Sequence, residues 1–117
     1  MVMDNLEKFV TEWQRAGQLW VRAKAIADQL KKNQKTFLDA IKNELDTGEK
    51  ITEAKLSRLA QGSEKYRKYI EGMTAAQAKA LELKVRYDGL DKLLESKRSE
   101  MAMERAKIEK GIFHTGS

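Results

Sequence analysis

Residues 6–41 read LEKFVTEWQRAGQLWVRAKAIADQLKKNQKTFLDAI. Their apolar members are Leu6, Phe9, Trp13, Ala16, Trp20, Ala23, Ala27, Leu30, Phe37 and Ile41, at steps that alternate between three and four. That spacing is a helical heptad. Leu6, Trp13, Trp20, Ala27, Gln34 and Ile41 fall at a, and Phe9, Ala16, Ala23, Leu30 and Phe37 at d. Gln34 is the one polar member of the line. Val10, Leu19, Ile26 and Leu38 widen the stripe beyond a bare coiled-coil seam. The pattern predicts a helix over about 3–45, roughly 60 Å long at 1.5 Å per residue.

Downstream, Asp46-Thr47-Gly48-Glu49-Lys50 has the polar residues and glycine of a loop. Thr52 is placed as an N-cap, with Ile51 and Leu56 as a hydrophobic staple. A short helix over about 53–61 would end at Gly62. Ser63 can cap a last helix over about 64–110. Its seam holds Tyr66, Met73, Ala80, Tyr87, Leu94, Met101 and Ile108 at a, and Tyr69, Ala76, Leu83 and Leu90 at d. Lys97 and Glu104 then interrupt the d line, so the stripe fades toward the C-terminus. Gly72, followed by Met73 and a capping-competent Thr74, marks the expected kink. Residues 1–110 thus read as one all-α domain, and 111–117 as a short flexible tail.

Two long amphipathic helices joined by a short one predict an antiparallel hairpin. A hairpin is two helices thick, and each stripe is wider than one neighbour covers. Large apolar side chains left wet would forfeit about 1.5–3 kcal/mol each. The economical solution is a homo-oligomeric bundle or ring, with Trp13, Trp20, Phe37, Tyr66, Tyr87, Leu90 and Leu94 as expected interface residues. The competing arrangement is a monomeric three-helix bundle closed by the short helix and a kinked last helix.

Composition excludes most chemistry. The 117 residues include no Cys and no Pro, so there is no disulfide framework, thiolate site or cysteine nucleophile. This fits a reducing cytoplasm. Asp4 and Glu7 near the start argue against a signal peptide, and no apolar run is long enough to span a bilayer. The only histidine, His114, falls in the tail without an orienting partner or nucleophile. No P-loop, GxGxxG or Glu-x-x-His motif is present. The expectation is a protein that is not an enzyme, with no metal, cofactor or small-molecule substrate.

Charge supplies the functional lead. The net charge is +5 with 35% charged residues, the pI is near 9.4 and the mean hydropathy is −0.66. A basic balance favours polyanions. Arg22, Lys24, Lys31, Lys32 and Lys35 share a stretch with a single acid, Asp28. Lys24 and Lys31 in the first helix fall at e, as do Lys84, Arg98 and Arg105 in the last, while Lys79, Arg86 and Lys107 fall at g. Antiparallel helices oppose e to e, so the basic edges repel unless water, acids or an external anion lies between them. Asp91 and Glu100 neutralise them in part. The edge is either a rim that tracks phosphates or a solvated face with snorkelling stems. Tyr66, Tyr69 and Tyr87 either offer stacking faces for bases or fill the seam.

The second half of the chain carries a resemblance. Ser63-Glu64-x-Tyr66, Tyr69-Ile70-x-Gly72, Lys84-Val85-Arg86-Tyr87-Asp88-x-Leu90, Glu95-x-x-Arg98-Ser99-Glu100 and Arg105-Ala106-Lys107-Ile108 resemble small helical phage and prophage proteins encoded near single-strand annealing and single-stranded-DNA-binding genes. The order of elements is similar, more distantly, to UvsY-type recombination mediators, with an early tryptophan-bearing helix, a polar break and a closing helix. The resemblance implies a ring-like homo-oligomer that binds single-stranded DNA and helps load or exchange a recombinase, annealing or single-stranded-DNA-binding protein. It assigns Lys84, Arg86, Arg98 and Arg105 to DNA; Lys24 and Lys31 join them on charge alone. No counterpart of a strongly basic DNA-contacting loop is present. A protein-interaction module without a nucleic-acid role, such as an inhibitor of host defence or an assembly factor, is the alternative. A membrane-surface helix fits less well, because acids lie among the lysines.

Overall fold

The computed structural model describes the backbone of residues 2–115 and the side chains of residues 5–109. It is all-helical, with no strand among the described residues. Three helices follow in order: α1 (Val2–Leu45), α2 (Glu53–Gln61) and α3 (Glu64–Thr115). α3 runs on through Thr115, past the stop expected near Lys110. The side chain of His114 lies outside the described residues.

Local chemistry sets the helix ends. After Leu45, Asp46 Oδ1 accepts from the Gly48 amide at 3.1 Å. This short turn carries Gly48 to φ 83°, a left-handed conformation that costs glycine nothing. Thr52 caps α2, its hydroxyl accepting from the Lys55 amide at 3.2 Å. Ser63 joins α2 to α3. Its hydroxyl donates to the Ala60 carbonyl at 2.6 Å and accepts from the Tyr66 amide at 3.2 Å. Gly62 is right-handed, at φ −84°, so this junction does not depend on left-handed glycine geometry.

The heptad seam lies between α1 and α3. Every a and d residue of α1 from Leu6 to Ile41 is buried or half-buried, with Ala16, Ala27 and Ile41 buried. In α3, Tyr66 through Leu94 do the same, with Ala80 and Leu94 buried. Contacts run in opposite sequence order along the two helices. Phe9 lies under the Lys97 ammonium, Trp13 and Trp20 hold Tyr87, and Phe37 stacks on Tyr69. Gln34 finds its reason here. Its amide donates to the Tyr66 hydroxyl at 2.9 Å, and the Tyr69 hydroxyl donates to the Leu30 carbonyl.

α3 is one continuous helix through Gly72 and Gly89, so no new helix begins at Thr74. A glycine costs a helix about 1 kcal/mol relative to alanine. Met73 and Ala76, beside Gly72, are both half-buried in the seam, and their burial favours an unbroken helix. A Cβ at Gly72 or Gly89 would meet nothing within 4 Å. Gly72→Ala and Gly89→Ala should therefore each raise stability, by about 0.5–1 kcal/mol. Urea unfolding followed by circular dichroism measures this.

α2 packs chiefly on the C-terminal end of α1, burying Leu56 and Ala60. Lys42 bridges to Glu53 at 3.1 Å, and Lys65 to Glu44 at 2.8 Å. α2 covers one end only and does not close a three-helix bundle. The molecule measures 97 × 22 × 15 Å, with a radius of gyration of 26.3 Å. A compact domain of about this length has roughly 13–14 Å. No large side chain is fully buried among the described residues.

Candidate nucleic-acid interface

With the a/d seams facing and contacts in opposite order, the e positions of both long helices border one edge of the rod and the g positions the other. Lys24 and Lys31 of α1 share the e edge with Lys84, Arg98 and Arg105 of α3. All five are exposed. At the helical rise they extend along about 50 Å. Lys24 lies 3.9 Å from Asp28, an exposed i,i+4 pair of little energetic weight. The other four make no ion pair among the described residues. Asp91, half-buried, is the acid on this edge. Arg86 does not join the group; it lies on the g edge with Leu19, Ile26 and Leu93.

Another arginine is occupied elsewhere. Glu64, placed by spacing to pair with Lys68, binds Arg67 instead, and Arg67 also reaches Glu71 at 2.9 Å. The Glu64 hydrogen bond, then the Glu71 charge, push the Arg67 pKa above its ordinary value. Held on both sides by carboxylates, Arg67 is poorly placed to receive a phosphate.

The residues expected between copies are placed differently. Trp13, Trp20, Phe37, Tyr66, Tyr87, Leu90 and Leu94 are half-buried or buried along the α1–α3 seam of the chain itself. The Tyr87 ring lies over Gly17, between Trp13 and Trp20. It stacks 5.9 Å from Trp13 and 5.5 Å from Trp20, at interplanar angles of 21° and 25°. A Cβ at Gly17 would lie 3.0 Å from the Tyr87 ring, so glycine is what admits it. The tyrosines thus serve the seam: Tyr69 stacks on Phe37 at 4.3 Å, and Tyr66 holds Gln34. The physical reason is geometric. A heptad states that a face is covered, and here the nearer cover is the chain's own α3.

Apolar side chains that remain open lie off the seam. Val21, Ile26, Leu81, Val85, Leu93, Met103 and Ile108 are each more than half exposed. Leu81 and Val85 sit at b and f, on the side of α3 turned away from α1. Beside the aromatic stack, an open notch of about 660 Å³ is lined by Trp13, Gln14, Gly17, Trp20, Val21, Arg22 and Tyr87, among others. The buried Trp13 indole N–H finds no acceptor among the described residues, a deficit of about 1–3 kcal/mol. Sequence reading passed over this notch. Its signal was a glycine lying four residues after one seam tryptophan and three before the next.

Among the described residues, no group of His, Cys, Asp or Glu is arranged to hold a metal, and no helix is long and apolar enough to cross a membrane. Comparison with protein-family models, with curated proteins and with solved structures finds no match.

Proposed function

We propose that this chain is a non-enzymatic accessory of phage-type DNA recombination, acting in the cytoplasm of the host cell. In this reading the two long helices form an antiparallel hairpin. Copies of the hairpin associate through their outer apolar faces into a bundle or ring. The assembly holds single-stranded DNA along its basic edges and presents it to a recombinase, annealing or single-stranded-DNA-binding protein. The observation that carries the proposal is the set of five exposed cations, from two helices, on one edge. Phosphates spaced along a strand are the anions such a line suits, and counterion release supplies the driving force. The resemblance, over roughly Lys35 to Ile108, to small phage and prophage proteins encoded near recombination genes points the same way.

The test combines mass by light scattering with the anisotropy of a labelled single-stranded oligonucleotide. At about 50 mM salt, where phosphate contacts are strong, binding is expected and should fall steeply as salt rises. Absence of binding there sinks the proposal. Arg98→Glu with Arg105→Glu should weaken binding at least about tenfold and flatten the salt slope by about 1.4, the loss of two phosphate contacts on a single strand. Helicity should be unchanged, because both side chains are exposed.

A second reading draws on a different observation. Val21, Leu81 and Val85, each about 60% exposed, also suit a protein partner. A module that binds a host-defence or assembly protein would keep its partner at high salt and after nuclease treatment.

A further inference from the structure

We infer that the notch beside Gly17 is a subsite for one unpaired base of the bound strand. The inference rests on the single-stranded-DNA reading and adds a location and a chemistry to it. Basic residues alone hold phosphates and leave bases free. Here the charged line passes an opening with aromatic walls. Trp13, Trp20 and Tyr87 supply ring surfaces, and Val21, 60% exposed, supplies an aliphatic side.

Charge selects the occupant. Arg22 lines the notch and no carboxylate does. Lys24 and Lys84 fall on the same edge, one helical turn from Val21 and Tyr87 respectively. A base brought here keeps its own phosphates beside those cations. An apolar side chain from a second copy gains nothing from them. Polar chemistry agrees. Gln14 and Gln18 lie in the wall and can each donate or accept. The Trp13 indole N–H, buried without an acceptor, is a donor that a reoriented indole can deliver to a ring carbonyl or ring nitrogen and not to an alkyl group. Stacking on aromatic faces is tolerant of base identity, as a recombination accessory requires.

The chain has two tryptophans, and both are in this wall, so its whole indole emission reports on the notch. The experiment titrates the intact protein with an oligothymidylate and with an abasic oligomer of equal length. Labelled anisotropy gives binding, and tryptophan emission gives occupancy. The expected result is that both strands bind, that only the oligothymidylate quenches and shifts the emission, and that it binds about tenfold tighter than the abasic strand. In Val21→Glu, an exposed site where folding is checked by circular dichroism, the quenching is lost. The ratio of the two affinities falls to near one, whatever the added charge does to both.

Equal affinity for the two strands without quenching overturns the subsite and leaves the DNA reading standing. Failure of both strands to bind overturns the DNA reading, and the subsite with it. An emission change that follows protein concentration and not oligonucleotide identifies a second copy as the occupant and overturns the base assignment.

Discussion

Tyr87→Ala is expected to lower the unfolding free energy by about 3 kcal/mol, the largest effect of any single truncation in the seam. Burying a side chain of this size contributes about 1.5–3 kcal/mol. Each of its two stacked contacts, with Trp13 and Trp20, adds about 0.5–1.5 kcal/mol. The ring is only half-buried, which holds the sum at the lower end of the range. The gap cannot be filled from the far side, because Gly17 has no side chain to move into it. Tyr87→Phe is the control. The hydroxyl has no hydrogen-bond partner among the described residues, so its loss should cost less than about 0.5 kcal/mol. Urea unfolding at fixed protein concentration measures both. A Tyr87→Ala effect below about 1 kcal/mol would show that the aromatic stack contributes little to holding α1 on α3.

If copies associate as proposed, Leu81→Glu with Val85→Glu should dissolve the assembly while leaving the chain helical. Within one chain the two side chains are 63% and 64% exposed, so replacing them removes little internal packing. In a complex that covers this face they would be buried, at about 1.5–3 kcal/mol each. A carboxylate in their place adds a desolvation penalty of several kcal/mol. Together these raise the dissociation constant by at least about a thousandfold. Light scattering is expected to report a fall to the single-chain mass of 13.4 kDa. An unchanged mass with intact circular dichroism excludes this face as the contact between copies.

The seam was legible in the sequence almost residue by residue. Apolar periodicity is a direct imprint of which side of a helix is covered, and the a and d residues from Leu6 to Leu94 face inward as the spacing predicts. The caps at Thr52 and Ser63 were legible too, because capping is local chemistry. The fading after Leu94 also shows, in the exposure of Lys97, Glu104 and Ile108. Three features were not readable. Gly72 and Thr74 suggested a break, yet α3 runs through them as one helix, because a backbone preference of about 1 kcal/mol yields to packing that sequence does not weigh. Trp13, Trp20 and Tyr87 were assigned to contacts between copies, since periodicity cannot say which helix provides the cover. The notch at Gly17 depends on a ring arriving from a residue 70 positions away, Tyr87. On the basic edge, heptad phase placed Lys24, Lys31, Lys84, Arg98 and Arg105 together. Arg86 was grouped with them through the resemblance, although its heptad phase at g sets it on the opposite edge.

The Gln34–Tyr66 hydrogen bond and the fit of Tyr87 over Gly17 make the rod a ruler. If α3 slid one heptad along α1, the Tyr66 hydroxyl would lose its amide partner and the Tyr87 ring would meet Val10 or Lys24 where glycine now admits it. Two separate graduations, set by hydrogen bonding and by ring shape, fix the same alignment. The length of the molecule and the intervals between its edge cations are therefore constants of the chain. A strand laid along it as proposed would meet those cations at fixed intervals.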